Sequence, residues 1–130
     1  MRLAILFLIL IFLIDMVFGL GLRFYRILYF DVILHFFGGF FVAMFFYDYL
    51  KEYTEKKASK LKKLLIITGA TVFIGVIWEF SEYIASYFLS DYLLTKYNLI
   101  CCMGNLNDTV NDLLMDIIGA IAFMILRDKS

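Results

Sequence analysis

Asp31 and His35 stand four residues apart, Glu79 and Glu82 three apart, and Asp108, Asp112 and Asp116 recur at every fourth position. On a helix each of these spacings places the side chains on one face, and the aspartate stripe drifts only about 40° per step. Carboxylates joined by a single imidazole form a ligand set for a divalent cation. Oxygen-rich sites suit Mg²⁺, Mn²⁺ or Fe²⁺, whereas Zn²⁺ is normally held by more His or Cys. Without a cation the same acids must stay largely protonated, because close carboxylates oppose one another's ionisation. With one, the ion polarises a phosphoryl oxygen or activates a bound water, and His35 or Glu79 serves as general base. No H-x-x-x-H or H-E-x-x-H pattern occurs, so the expectation rests on the constellation as a whole.

The elements that must position these residues are apolar. The chain has 130 residues, 64% of them hydrophobic, and no proline. A soluble domain of this size cannot hide so much apolar surface, so lipid is the solvent that suits it. Four segments read as spans of about twenty residues: 3–22, 29–50, 64–88 and 108–126. The third emerges near its end, and the fourth needs protein neighbours to insert. Residues 1–20 also have the outline of a signal peptide, but Asp15 interrupts the apolar run and no small-residue cleavage site follows. A retained helix is the better reading.

Charge placement gives the orientation. Lys51, Lys56, Lys57, Lys60, Lys62 and Lys63, with Arg2, Arg127 and Lys129, put nine of the twelve positive charges on one side. Arg23, Arg26 and Lys96 are left for the other. Both termini and the lysine loop are therefore expected in the cytoplasm, with 23–28 and 90–107 facing outward. The lysine run is a topology signal first, and a patch for anionic lipid or nucleic acid second. A formal net charge of zero gives no case for nucleic acid. Adjacent Cys101 and Cys102 are too few for a disulfide framework.

With this topology every span brings acid to the outer half of the membrane, where each aspartate costs roughly 2.5–3.5 kcal/mol on insertion scales. Asp31, His35, Glu79, Asp112 and Asp116 are the expected metal ligands, His35 and Glu79 the catalytic groups, and Asp15, Glu82 and Asp108 supporting residues around them. Blander roles compete. Asn107 or Asp108 can simply cap the last helix; Asp15 can pair with Arg23 or Arg26; His35 can be an interhelical hydrogen bonder. Phe36, Phe37, Phe40 and Phe41 read as lipid-facing bulk. Gly38, Gly39, Gly69, Gly75, Gly119 and Ala120 read as close-packing positions between helices.

The stretches "DVILHFFGGF", "GVIWEFSEY" and "DTVNDLLMDIIGA" resemble the YjdF-like family of small inner-membrane proteins and, more distantly, the VanZ-like superfamily. The likeness covers the last three spans. The VanZ-like pattern is an Asp-x-x-x-His helix, a Glu-x-x-Gln helix and an Asp-x-x-x-Asn-x-x-Gly helix. It falls here on Asp31 and His35, on Glu79, and on Asp112 with Gly119. Glu82 stands in place of Gln and Asp116 in place of Asn, and both changes add acid. The resemblance implies an envelope protein with a site at these residues, and implies no particular reaction.

The expectation is thus an all-α, single-domain, four-helix transmembrane bundle in the plasma or inner membrane, both termini cytoplasmic. Its acidic site binds a divalent metal ion, Mg, Mn or Fe ahead of Zn. The function it points to is a metal-dependent hydrolase or transferase acting on a lipid or lipid-linked headgroup. Its partners are membrane lipid and, in an oligomer, further copies of the chain. Two alternatives use the same acids: proton or cation translocation, against which the other half offers no polar path, and a non-catalytic envelope assembly factor.

Overall fold

The computed structural model describes residues 1–17, 29–53, 58–97 and 105–128. Among them the structure is all helical, with α1 at Arg2–Ile14, α2 at Phe30–Tyr49, α3 at Lys60–Tyr97 and α4 at Leu106–Asp128. The last three are long and apolar enough to cross a membrane. The outer part of the first expected span, Arg23, Arg26, Cys101 and Cys102 lie outside the described residues.

Three helix ends differ from the sequence expectation, each for a local reason. The third helix was expected to leave the membrane and become loop from residue 90, yet α3 runs on to Tyr97. Nothing in "VIWEFSEYIASYFLSDYLLTKY" breaks a helix: it holds neither glycine nor proline. At about 1.5 Å per residue its 38 residues far exceed the roughly 30 Å of a hydrocarbon core. At its start the Ser59 hydroxyl accepts from the Lys62 N–H at 3.4 Å. The cap of the last helix is neither Asn107 nor Asp108. Asn105 Oδ1 accepts from the N–H groups of Asn107 (2.9 Å) and Asp108 (3.2 Å), so the helix starts at Leu106.

Consecutive helices run antiparallel, which gives the molecule a lysine end and an acidic end. At the lysine end the amino terminus pairs with Asp48, and Lys60 Nζ lies 2.7 Å from Asp128. Between these pairs the Tyr47 ring receives Lys63 Nζ at 4.1 Å and the Arg127 guanidinium at 5.3 Å. α2 and α4 form the most extensive helix pair; α3 packs on both, and α1 mainly on α2.

Glycine decides how close α2 and α4 come. A Cβ on Gly119 would fall 2.1 Å from the Phe36 carbonyl oxygen, and one on Gly39 would fall 2.3 Å from that of Asp116. Backbone meets backbone at this crossing, as small residues permit in membrane helices. Gly38 and Gly69 do not share this role, since a Cβ on either meets nothing within 4 Å.

Burial runs in stripes of mostly four-residue spacing: His35, Gly39, Ala43 and Tyr47 on α2; Ile67, Thr71, Gly75, Glu79 and Glu82 on α3. α4 contributes Asp112, Asp116, Gly119, Ala120 and Phe123. Among the described residues the interior holds seven buried polar side chains against six buried apolar ones, while Leu3, Leu6, Phe73 and Phe80 stand about 60% exposed. Such an inside-out distribution is stable only in an apolar solvent. The interior also divides lengthwise. Toward the lysine end it is an apolar plug of Ala43, Tyr47, Ile67, Ala120 and Phe123. Toward the other end it is acid. The phenylalanines expected as lipid-facing bulk are divided as well: Phe40 packs edge-on against Phe123, and Phe41 stacks on Phe7 of α1 at 4.3 Å. Phe37 is exposed.

Candidate functional site

His35 is the centre of the acidic half, and it is 6% exposed. Its position on α2 points the imidazole between α3 and α4, so its two nitrogens meet different helices. Nε2 lies 3.7 Å from Glu79 Oε1 on α3 and 3.8 Å from Asp31 Oδ1 one turn back on α2. Nδ1 lies 3.5 Å from Asp116 Oδ1 on α4. Gly75 makes room for that aspartate: a Cβ there would fall 2.1 Å from Asp116 Oδ2.

Three sets of side chains bring one ligand atom each to within 4.8 Å of one another. They are His35, Glu79 and Asp112; Asp31, His35 and Glu82; and Asp31, Asp108 and Asp112. Ligands of one ion with bonds of 2.0–2.2 Å sit about 3 Å apart at right angles and about 4 Å apart in opposition. The sets are therefore close to the spacing of ligands around a single cation. Sharing His35, Asp31 and Asp112 makes them faces of one continuous site. Asp116, expected as a ligand, belongs to none of the three and faces Nδ1. Glu82 and Asp108, expected as supporting residues, each belong to one.

Several buried acidic oxygens lack a hydrogen bond. Glu79 Oε1, Asp112 Oδ1 and Asp116 Oδ2 are buried and receive no hydrogen bond, in residues exposed by 7%, 2% and 5%. Among the described residues no lysine or arginine is seen paired with Asp31, Glu79, Glu82, Asp112 or Asp116, and the cation that meets three of them is His35. A buried acceptor left this way costs about 1–3 kcal/mol, more when charged. Of the three, Glu79 and Asp112 share a candidate ligand set with His35, and Asp116 does not.

Trp78 is a residue that spacing arguments passed over. Its Nε1–H donates to Glu82 Oε1 at 3.0 Å, an i, i+4 pair readable in hindsight from "WEFSE". Its ring meets Phe12 of α1 edge-on at 6.1 Å. Beside it lies a cavity of about 270 Å³ that Asp15, Asp31, His35 and Asp116 line at the acidic end. Asp15 is buried and begins a wide π turn over residues 15–17 that follows α1, a distortion often found at functional sites.

A model of a family described as predicted membrane proteins, DUF2238, matches residues 1–128. A protein of Thermotoga maritima described as uncharacterized is 34% identical over 117 residues, which are 88% of this chain. The chain spans 57% of that relative's length. No solved structure matches. The YjdF-like resemblance fits this family loosely, and these matches lend no support to the VanZ-like one.

Proposed function

Starting from a chain that belongs to the DUF2238 family of predicted membrane proteins, we propose a plasma-membrane, metal-dependent hydrolase or transferase that acts on a lipid or lipid-linked headgroup. In this reading α1 is a fourth span and both termini are cytoplasmic. The acidic end then lies in the outer half of the bilayer. The observation that carries the proposal is the pair of buried oxygens of Glu79 and Asp112 that receive no hydrogen bond and share a candidate ligand set with His35.

Oxygen-rich ligands with one imidazole favour Mn²⁺ or Mg²⁺. Glu79, Asp112 and His35 Nε2 hold the ion, with Asp31 at its open side. Asp116 accepts from Nδ1–H and so fixes which imidazole nitrogen is free, as carboxylates behind metal-bound histidines do. The bound ion supplies a polarised phosphoryl oxygen or an activated water. Glu82, held by Trp78, is the carboxylate placed to take a proton. His35 is thus a ligand here, and the general base passes to a glutamate. Translocation fits less well, because the apolar plug of Ala43, Tyr47, Ile67, Ala120 and Phe123 offers an ion no polar route to the lysine end.

The test is metal content and melting temperature of the purified protein in detergent. Mn²⁺ or Mg²⁺ should co-purify, and chelation should lower the melting temperature. Restoring the ion at about a hundred times its Kd should return about 2.7 kcal/mol of stability. A metal-free protein that melts identically with and without Mn²⁺, Mg²⁺ and Zn²⁺ would leave protonated carboxylates as the better account.

A further inference from the structure

The cavity beside the cluster is longer than a cation site needs. It follows α2 from Asp31 to Val42, a distance of about 16 Å at 1.5 Å per residue. Beyond its acidic end the walls are apolar, Leu8 and Ile11 of α1, Leu34 and Val42 of α2 and Ile74 of α3, apart from Thr71, whose hydroxyl donates to the Ile67 carbonyl at 2.9 Å. Gly38 lies on this wall, and because a Cβ there meets nothing within 4 Å, it widens the cavity without serving any helix contact. Resting on the lipid-headgroup reading above, we propose that the cavity holds one acyl chain of a bilayer phospholipid, its phosphate at the acidic end.

Three observations select this occupant. The cavity runs along the helix axes, the direction in which bilayer chains already lie. Its shaft offers almost no polar partners, so a peptide inserted there would leave backbone N–H and C=O groups unsatisfied at several kcal/mol each. Polar groups gather at one end, where the cavity-lining Asp31 and His35 form a candidate cation set with Glu82, and a cation held there would face an anionic phosphate. Access comes from the side. α1 packs mainly on α2, and its ring contact with α3 is the edge-on pair Phe12–Trp78. A chain sliding between α1 and α3 passes that pair, and Trp78 is itself bonded to Glu82.

The experiment uses full-length protein in nanodiscs containing phosphatidylglycerol with a diazirine at the end of one acyl chain. Photolysis and mass spectrometry then locate the label. Wild-type protein should be labelled at the far end of the cavity, on Leu8, Val42 or Thr71. Gly38→Leu, which fills the shaft, should lower that labelling about tenfold, equivalent to 1.4 kcal/mol of binding, with metal content and melting temperature unchanged. Gly69→Leu, on a face open to lipid, should leave it intact. Leu8→Trp, obstructing the shaft from α1, should repeat the loss should Gly38→Leu fold poorly. Labelling confined to outward residues such as Phe73 and Phe80, or cavity labelling that neither obstruction lowers, would overturn the proposal. Cavity labelling in a protein that binds metal but releases no headgroup removes the enzymatic reading and keeps this one. Headgroup release without cavity labelling does the reverse.

Discussion

Asp112 and Asp116 differ by one helical turn, and the structure gives them different neighbours. Asp112 joins His35 and Glu79, while Asp116 faces the opposite nitrogen of the same imidazole at 3.5 Å. Asparagine at 112 keeps the shape and removes the charge that holds a cation. Asp112→Asn should therefore lose its metal and keep its fold, and it should melt no lower than metal-free wild type. An Asp112→Asn protein that retains full metal, or one that fails to fold, ends the metal reading. Asp116→Asn should weaken metal binding by about 10–100-fold without abolishing it, the range for groups that orient a metal-bound histidine; titration of Mn²⁺ followed by its paramagnetic resonance reads both. The four-residue spacing showed that these acids share a helix face. Which nitrogen each one meets depends on how α2 and α4 cross, and spacing within one helix carries no information about that. The cap shows the same limit. Asn105 and Asn107 are both good capping residues, and only the path of the chain entering α4 selects Asn105. Asn105→Ala should cost about 1 kcal/mol by denaturant melting, and Asp108→Asn much less.

Between helices, the glycines divide by what a methyl group would meet. Six small positions were readable in the sequence as packing sites, and nothing in their spacing ranked them. At Gly119 the obstacle is the Phe36 carbonyl, at 2.1 Å. It is backbone and cannot rotate away, so Gly119→Ala must push α2 and α4 apart. A loss of at least 1–3 kcal/mol is expected, the range for overpacking a close-packed core. Gly69→Ala meets open space and should gain up to about 1 kcal/mol from helix propensity. Gly75 is a third case. Its obstacle is the end of the Asp116 side chain, which can swing aside, so Gly75→Ala should lower metal affinity more than stability. Melting temperature and metal titration on the three variants separate these outcomes; equal destabilisation by Gly69→Ala and Gly119→Ala would contradict the crossing described. Helix existence was legible because hydrophobic runs are long. Helix length was less so: α3 overshoots because its last residues, "SDYLLTKY", are polar enough to read as loop yet hold no glycine or proline to stop a helix.

For the whole molecule, the question is which side of the membrane the acidic end faces. The ion pairs at the lysine end, Met1 with Asp48 and Lys60 with Asp128, are exposed, and such pairs contribute roughly 0–1 kcal/mol. They gather the helix ends without fixing the orientation. Orientation rests on the charge bias, since basic residues near span ends resist translocation. Both ion pairs form between segments that the bias assigns to one side, and they would form in either orientation. Ser59 and Asn107, both exposed, sit at opposite ends of the molecule. In a Cys101→Ser, Cys102→Ser background, Asn107→Cys should react with an impermeant maleimide on intact cells, and Ser59→Cys only after lysis. The opposite result would put the acids in the cytoplasmic half, where a headgroup enzyme would meet inner-leaflet lipid. The cation site would survive that outcome, because its geometry is indifferent to direction. The choice of lipid would not, because the end that carries His35 decides which leaflet supplies the phosphate.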